Sequence, residues 1–212
     1  MRIILFKWEF ICGIVRTNCR ALPLIFSIHL ILFQKERTMA VVGLFYGSDT
    51  GNTENIAKMI QKQWGNELVD IRDIAKSTKE DIESYDFLLF GIPTWYYGEA
   101  QADWDDFFPT LEEIDFTDKL VGIFGCGDQE DYADYFCDAI GTVRDIVEPR
   151  GAIIVGNWST DGYTFEASKA LLDDGNFIGL CIDEDRQPEL TAERVEKWTK
   201  QIYDEMCLAE LA

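Results

Sequence analysis

The residues best placed to do chemistry fall in three short, glycine-bearing segments. The first, Gly47-Ser48-Asp49-Thr50-Gly51-Asn52-Thr53, gathers three hydroxyl side chains, two glycines and an asparagine just ahead of a helical pattern. Free backbone N–H groups and the dipole at a helix start favour an anion. The segment holds no Lys or Arg and does not match the G-x-x-x-x-G-K-[ST] nucleotide loop. A single phosphate monoester held by neutral donors therefore fits it better than a triphosphate with magnesium. Ordinary turn chemistry with an N-cap is the competing explanation. The second segment, Pro93-Thr94-Trp95-Tyr96-Tyr97-Gly98-Glu99, sets three consecutive aromatics beside a glycine that permits an unusual φ. The third, Cys126-Gly127-Asp128-Gln129-Glu130-Asp131-Tyr132, is again glycine-bearing and ends in an aromatic. Aromatics from two loops suit the two faces of a flat conjugated ring, although surface packing explains any one of them alone. A phosphate at one end and a planar ring at the other describes flavin mononucleotide (FMN).

The elements that must position these loops alternate between strand and helix. Val41–Tyr46 is a continuous apolar run, as expected of a strand buried on both faces. A helix over Asn52–Trp64 follows, with Ile56, Ala57, Ile60 and Trp64 at helical spacing. Glu67–Ile71, Asp86–Ile92 and Leu120–Gly125 read as the next strands, and Trp104, Phe107, Phe108 and Leu111 as one face of a helix. Asp131–Val147 reads as a helix halted by Pro149, and a last helix, N-capped by Thr191, buries Val195, Trp198, Ile202 and Met206. Ala152–Val155 and Phe177–Ile182 are both strand-like, with a Gly-, Ser- and Thr-containing stretch, Gly156 to Asn176, between them. Trp158 and Tyr163 in that stretch suit either packing on the fifth strand or a partner surface. Repeated βα units call for an α/β fold, a doubly wound parallel sheet in one domain. Ligands of such sheets bind beyond the carboxyl ends of the strands, where all three segments lie.

Charge separates the chain into two pieces. Its 212 residues carry 19 Lys+Arg and 39 Asp+Glu, a net charge of −20. Residues 1–38 hold six basic and two acidic side chains, leaving 13 basic and 37 acidic over residues 39–212, a net −24. Such acidity argues against nucleic acid and against an anionic membrane face, and suits basic partners. The basic, apolar block before Met39 resembles neither a signal peptide, since no small-residue cleavage site follows, nor a membrane span, since its longest apolar run, Ala21–Phe33, is 13 residues. It is expected to be translated upstream sequence, with the working domain starting at Met39. His29 is the only histidine, so residues 39–212 hold none, and histidine-based acid–base catalysis or metal ligation is excluded there. Six Cys without a C-x-x-C pair or metal-ligand spacing read as reduced, buried thiols of a cytoplasmic protein.

GSDTGNTE (Gly47–Glu54), IPTWYYGEAQ (Ile92–Gln101) and FGCGDQEDYADYFCDAIG (Phe124–Gly141) together resemble bacterial flavodoxin, from about Met39 to the C-terminus. The stretch Gly156–Asn176 resembles the insertion of the long-chain subgroup. The resemblance implies a flavodoxin-like five-stranded parallel sheet of order 2-1-3-4-5, with the insertion splitting the fifth strand. By position it assigns Ser48, Asp49, Thr50, Gly51, Asn52 and Thr53 to a phosphate loop. It assigns Thr94, Trp95, Tyr96, Tyr97 and Gly98 to a second flavin loop, with Trp95 on the inner ring face. Tyr132 becomes the outer stacking aromatic, Gly127 and Asp128 the backbone at the pyrimidine edge, and Tyr135, Cys137 and Asp138 the rim of that loop. Asp185 matches a ribityl contact. The Tyr96–Tyr97 peptide matches one that flips on reduction so that its carbonyl accepts from flavin N5–H.

The function implied is a low-potential one-electron carrier with non-covalent FMN, using the semiquinone/hydroquinone couple and turning over no substrate of its own. A reduced flavin held between aromatics, in an acidic protein with no cation in its three loops, is disfavoured as an anion, which lowers the second potential. The same resemblance implies an NADPH-dependent flavodoxin/ferredoxin reductase as donor, radical or cobalamin-dependent enzymes as acceptors, and a monomer. Glu99, Asp103, Asp105, Asp106, Asp128, Glu130 and Asp131 would steer basic partners. An FMN-dependent NAD(P)H:quinone reductase is the alternative of the same architecture. A signalling receiver domain shares the strand order but needs an acceptor Asp ending its third strand, where this chain has Phe90-Gly91-Ile92.

Overall fold

The computed structural model describes residues 41–206. The expectations for residues 1–38, His29, Cys12, Cys19 and Cys207 lie outside them. Five parallel positions form the sheet, and apolar runs mark all of them but β2 (Val69–Asp73). β1 (Val42–Tyr46) lies between β2 (Val69–Asp73) and β3 (Phe87–Gly91), with Leu44 opposite Ile71 on one side and Leu89 on the other. β3 pairs in turn with β6 (Leu120–Cys126), and β6 carries two short strands end to end. Leu120–Gly122 pairs with β7 (Ile153–Val155), and Phe124–Cys126 pairs with β8 (Leu180–Ile182). The order β2-β1-β3-β6-β7, with β8 continuing the fifth position, matches the 2-1-3-4-5 expectation, including its split fifth strand.

Alternate side chains of the strands feed two apolar layers. Val42, Leu44, Leu89 and Phe124 pack with Ile56, Ile60, Trp198 and Ile202 from α1 (Asn52–Trp64) and the last helix, α5 (Pro188–Glu205). Phe45, Phe90 and Ile123 pack on the other face with α3 (Ala102–Leu111) and α4 (Asp138–Val147), through Trp104, Phe107, Ile140 and Val143. Each such side chain contributes about 1.5–3 kcal/mol by leaving water. Between β2 and β3 lies a short α2 (Lys79–Glu83), closed by a reciprocal capping box between Thr78 and Asp81.

Two expected helices begin elsewhere. α5 starts at Pro188, three residues before Thr191, because proline brings no N–H to a first helical turn that offers such a group no intrahelical partner. The Asp131–Val147 helix shortens to α4, beginning at Asp138 after Cys137 in a left-handed conformation at φ 57°. Residues before it are drawn into a 3₁₀ turn, Ala133–Tyr135, whose Ala133 carbonyl accepts from Glu166 N (2.9 Å) and Ala167 N (3.0 Å). Those donors belong to the insertion, so a distant segment overrides the local helical pattern.

The insertion also settles where Trp158 and Tyr163 go: both pack on the core beside the fifth strand. The Tyr163 hydroxyl donates to the Cys181 carbonyl of β8 (2.5 Å) and accepts from Trp158 Nε1 (3.0 Å). Arg194 of α5 lies over the Tyr163 ring, 3.9 Å from its centroid.

Candidate functional site

Four loops at the carboxyl ends of β1, β3, β6 and β8 enclose a cleft of about 270 Å³. The loop after β1 enters α1 through Gly51 at φ 90°, a left-handed conformation that a side chain would strain. No side chain caps α1. Ser48, of a residue type that often caps, instead accepts from Gly51 N through its Oγ at 3.1 Å. The N–H groups of the first turn are therefore left to the cleft, into which Thr50, Asn52 and Thr53 face. Asp49 is diverted sideways, where its Oδ1 accepts from Gln101 Nε2 at 3.0 Å. It lines a neighbouring hollow of about 480 Å³ with Trp95, Tyr96, Glu99 and Asp105.

The loop after β3 folds as a small hairpin with a three-residue connection, β4 (Thr94–Trp95) against β5 (Glu99–Ala100). The tight turn between them needs positive φ at Tyr96 (43°) and Gly98 (92°). Alternation across the hairpin had no apolar signature, because each strand is two residues long. Thr94 Oγ1 accepts from Ala139 N at 3.1 Å, tying the hairpin to the start of α4. Thr94, Trp95 and Tyr96 line the cleft, and the buried Trp95 Nε1 has no partner within the protein. Tyr97 is 72% exposed, with its ring edge-on to Tyr132 (6.3 Å between centroids) and Tyr135 (5.7 Å). A Cβ on Gly98 would sit 2.6 Å from Asp138 Oδ2, so any other residue here would have to displace the Asp138 side chain.

Gly127, Asp128, Tyr132 and Tyr135 form the wall from the loop after β6. The Asp128 carboxylate is engaged within its own loop, accepting from Glu130 N and Asp131 N at 2.9 Å each and from Arg186. Partial burial pushes its carboxyl up, but the Arg186 and backbone bonds outweigh that and hold it below the usual carboxylate range. Cys137 and Asp138 do not line the cleft. Cys137 is fully buried, and Asp138 points its Oδ1 to Lys169 N of the insertion (2.7 Å), which makes it a brace beneath the loop. Asp185 lines the remaining wall.

Pro93, Cys126 and Glu184 also line the cleft; the first two stand in the segments read from the sequence but were given no role there, and Glu184 was not singled out. Each stands at or just beyond a strand's carboxyl end, so the strand-end rule extended to β8 would have found Glu184. Thr53 Oγ1 donates to Cys126 Sγ at 3.7 Å. Burial pushes the Cys126 thiol far up, and Glu184 and Asp185 add to that rise, so this cysteine is an inert wall. Among the described residues no group of side chains could hold a metal ion. None of the side chains lining the cleft is a Lys or Arg, and three are carboxylates. The donor set suits one phosphate at α1 and a flat ring beside Trp95, whose indole N–H lacks a partner.

The comparisons with known proteins agree with this geometry. Residues 44–198 match the family model described as Flavodoxin. Over 174 residues the chain is 90% identical to the flavodoxin of Haemophilus influenzae, covering 82% of this chain and all of that one. It is 75% identical to flavodoxin 1 of Escherichia coli strain K12 over 173 residues, 82% of this chain and 98% of that protein. The solved structure of Fusobacterium nucleatum flavodoxin bound to flavin mononucleotide superposes with a TM-score of 0.74 at 38% identity, covering 79% of this chain and 99% of that one. With the split five-position sheet and the four-loop cleft, these matches show that the chain belongs to the flavodoxin family.

Proposed function

We propose that the protein is an FMN-dependent electron carrier. The observation that carries this reading is the uncapped N-terminus of α1 opening into the same cleft as Trp95 and Tyr132. When bound, FMN supplies a conjugated ring that takes up and releases electrons one at a time. The chain's own residues do the rest. The first-turn N–H groups of α1, with Thr50, Asn52 and Thr53, hold the phosphate without a cation. Ser48 and Gly51 shape that loop, and Asp49 ties it to Gln101. Trp95 and Tyr132 flank the ring, Gly127 and Asp128 offer backbone groups to its edge, and Asp185 reaches the ribityl chain. The carbonyl of the Tyr96–Tyr97 peptide would accept a hydrogen bond from the ring's N5–H once the ring is reduced, in a turn held by the positive φ of Tyr96 and Gly98. Asp128, Glu184 and Asp185 along the walls disfavour added negative charge, which sets a low potential for the second electron.

Electrons come from an NADPH-dependent flavodoxin/ferredoxin reductase and pass to radical or cobalamin-dependent enzymes. Exposed Glu99, Asp105, Asp106, Glu130 and Asp131 beside the cleft steer these basic partners, so raising ionic strength slows transfer from the reductase. Among the described residues no helix is long and apolar enough to cross a membrane. The test is FMN titration of the purified protein, followed by reductive titration with NAD(P)H-plus-quinone turnover as control. One-to-one binding and two resolved one-electron steps are expected. Absent FMN binding refutes the reading, and quinone turnover without a separate reductase replaces it with an enzyme. The domain is proposed to start at Met39. A peptide from residues 1–38 in the mass spectrum of the protein expressed from its own gene overturns that.

A further inference from the structure

One cation stands against the acidic rim of the cleft, and it comes from none of the three loops first read as functional. Arg186, in the loop after β8, grips Asp128 with two bonds, Nε to Oδ1 at 3.2 Å and Nη2 to Oδ2 at 3.0 Å. It also reaches Asp131 at 2.5 Å and Glu130 at 3.6 Å. Beneath it, the fully buried Asp183 joins the same two loops. Its Oδ2 accepts from Gln129 N at 3.0 Å, and its Oδ1 accepts from Asp185 N (3.0 Å) and Arg186 N (2.9 Å). The loop after β6 and the loop after β8 are thus latched twice, once in the interior and once at the rim. Both loops supply parts of the cleft wall, Gly127, Asp128, Tyr132 and Tyr135 from one and Glu184 with Asp185 from the other.

Resting on the FMN reading, we infer that Arg186 is a positioning residue for the cofactor, holding the β6 loop in its binding shape and raising the potential of the second electron. The fork fixes the orientation of Asp128, a residue of the cleft wall. A planar guanidinium does this where a lysine ammonium cannot, because the two parallel bonds set angle as well as distance. The positive charge offsets part of the field of Asp128, Glu130 and Asp131, so it favours the more reduced, more negative cofactor. Isolated surface pairs contribute little, but this side chain is only 31% exposed and Asp128 only 13%.

The experiment compares the unaltered protein with Arg186→Gln and Arg186→Lys, measuring the Kd for oxidised FMN and both one-electron potentials. Arg186→Gln is expected to raise the Kd about ten-fold, from loss of a charge-assisted fork. It should weaken binding of the fully reduced cofactor about three- to ten-fold more than that of the semiquinone, which at 59 mV per decade lowers the second potential by roughly 30–60 mV. Arg186→Lys keeps the charge and loses the fork, so its Kd should rise while its potentials stay near those of the unaltered protein. A Kd in Arg186→Gln equal to the unaltered value overturns the inference. So does a weaker Kd with both potentials unmoved, which is the mark of a merely structural latch, or a Lys variant whose potential falls as far as that of Gln. If Arg186→Gln does not fold, the Lys variant decides alone: unmoved affinity or a fallen potential overturns the inference. Should the unaltered protein bind no FMN, the function and this inference fall together, whereas binding with an indifferent Arg186 removes only the latter.

Discussion

Gly98 and Gly51 give a paired test of how the cleft is built. Both have left-handed φ, 92° and 90°, so an alanine at either costs about 1–2 kcal/mol from Cβ crowding its own backbone. Their surroundings differ. A Cβ on Gly51 would meet nothing within 4 Å, whereas one on Gly98 would lie 2.6 Å from Asp138 Oδ2 and 3.2 Å from Asp138 Cβ. Asp138 has little freedom to retreat, being buried and held by Lys169 N at 2.7 Å. Forcing a methyl into packed surroundings costs about 1–3 kcal/mol more. Gly98→Ala should therefore lose about 2–5 kcal/mol of unfolding free energy and Gly51→Ala about 1–2. Urea denaturation of the FMN-free variants reads both directly, free of any effect on cofactor affinity. Equal losses would refute the argument, since the two sites share their backbone conformation and differ in what the new methyl touches.

Tyr163→Phe should cost about 1–3 kcal/mol, because it strips a partner from both the Cys181 carbonyl and Trp158 Nε1; denaturant melts showing no change would contradict the packing described for the insertion. Cys126, Cys137 and Cys181 are buried, and burial holds the Cys126 and Cys137 thiols above their ordinary range. Alkylation at pH 8 followed by peptide mass spectrometry should leave these three unmodified in the native protein and modify them once it is unfolded. Asp128 has a folded pKa below its unfolded value of about 3.9, so its contribution is complete above that pH and fades as pH falls through the folded value. Asp128→Asn should accordingly flatten the acid limb of the stability profile below about pH 4, and an unchanged slope there would argue against the Arg186 latch.

Much of the site was legible in the sequence because βα architecture places its ligands at strand ends, and the family resemblance added Tyr135 and Asp185. Thr50, Asn52, Thr53, Thr94, Trp95, Tyr96, Gly127, Asp128, Tyr132, Tyr135 and Asp185 all line one cleft. What misled was local pattern. The apolar spacing over 131–147 suits a helix, yet hydrogen bonds from the insertion hold its first third in a turn that carries Tyr132 and Tyr135. Cys137 and Asp138 share a segment with wall residues but turn inward, since α4 begins at that point and its first turn is buried.

Composition and periodicity determined the parallel sheet and the exclusion of histidine chemistry from residues 39–212, while the sheet's strand order came from the family resemblance. These rest on the identities of neighbours along the chain, which the sequence contains. Tertiary structure decided whatever depends on partners far apart in number. The chain has no cation in its three site loops, yet folding brings Arg186 onto Asp128 across 58 positions. Trp158 and Tyr163 went to the core because Cys181 and Arg194 were there to receive them. Long-range contacts of this kind leave no periodic trace, since the energy that selects them comes from burial and hydrogen-bond satisfaction after the sheet has formed.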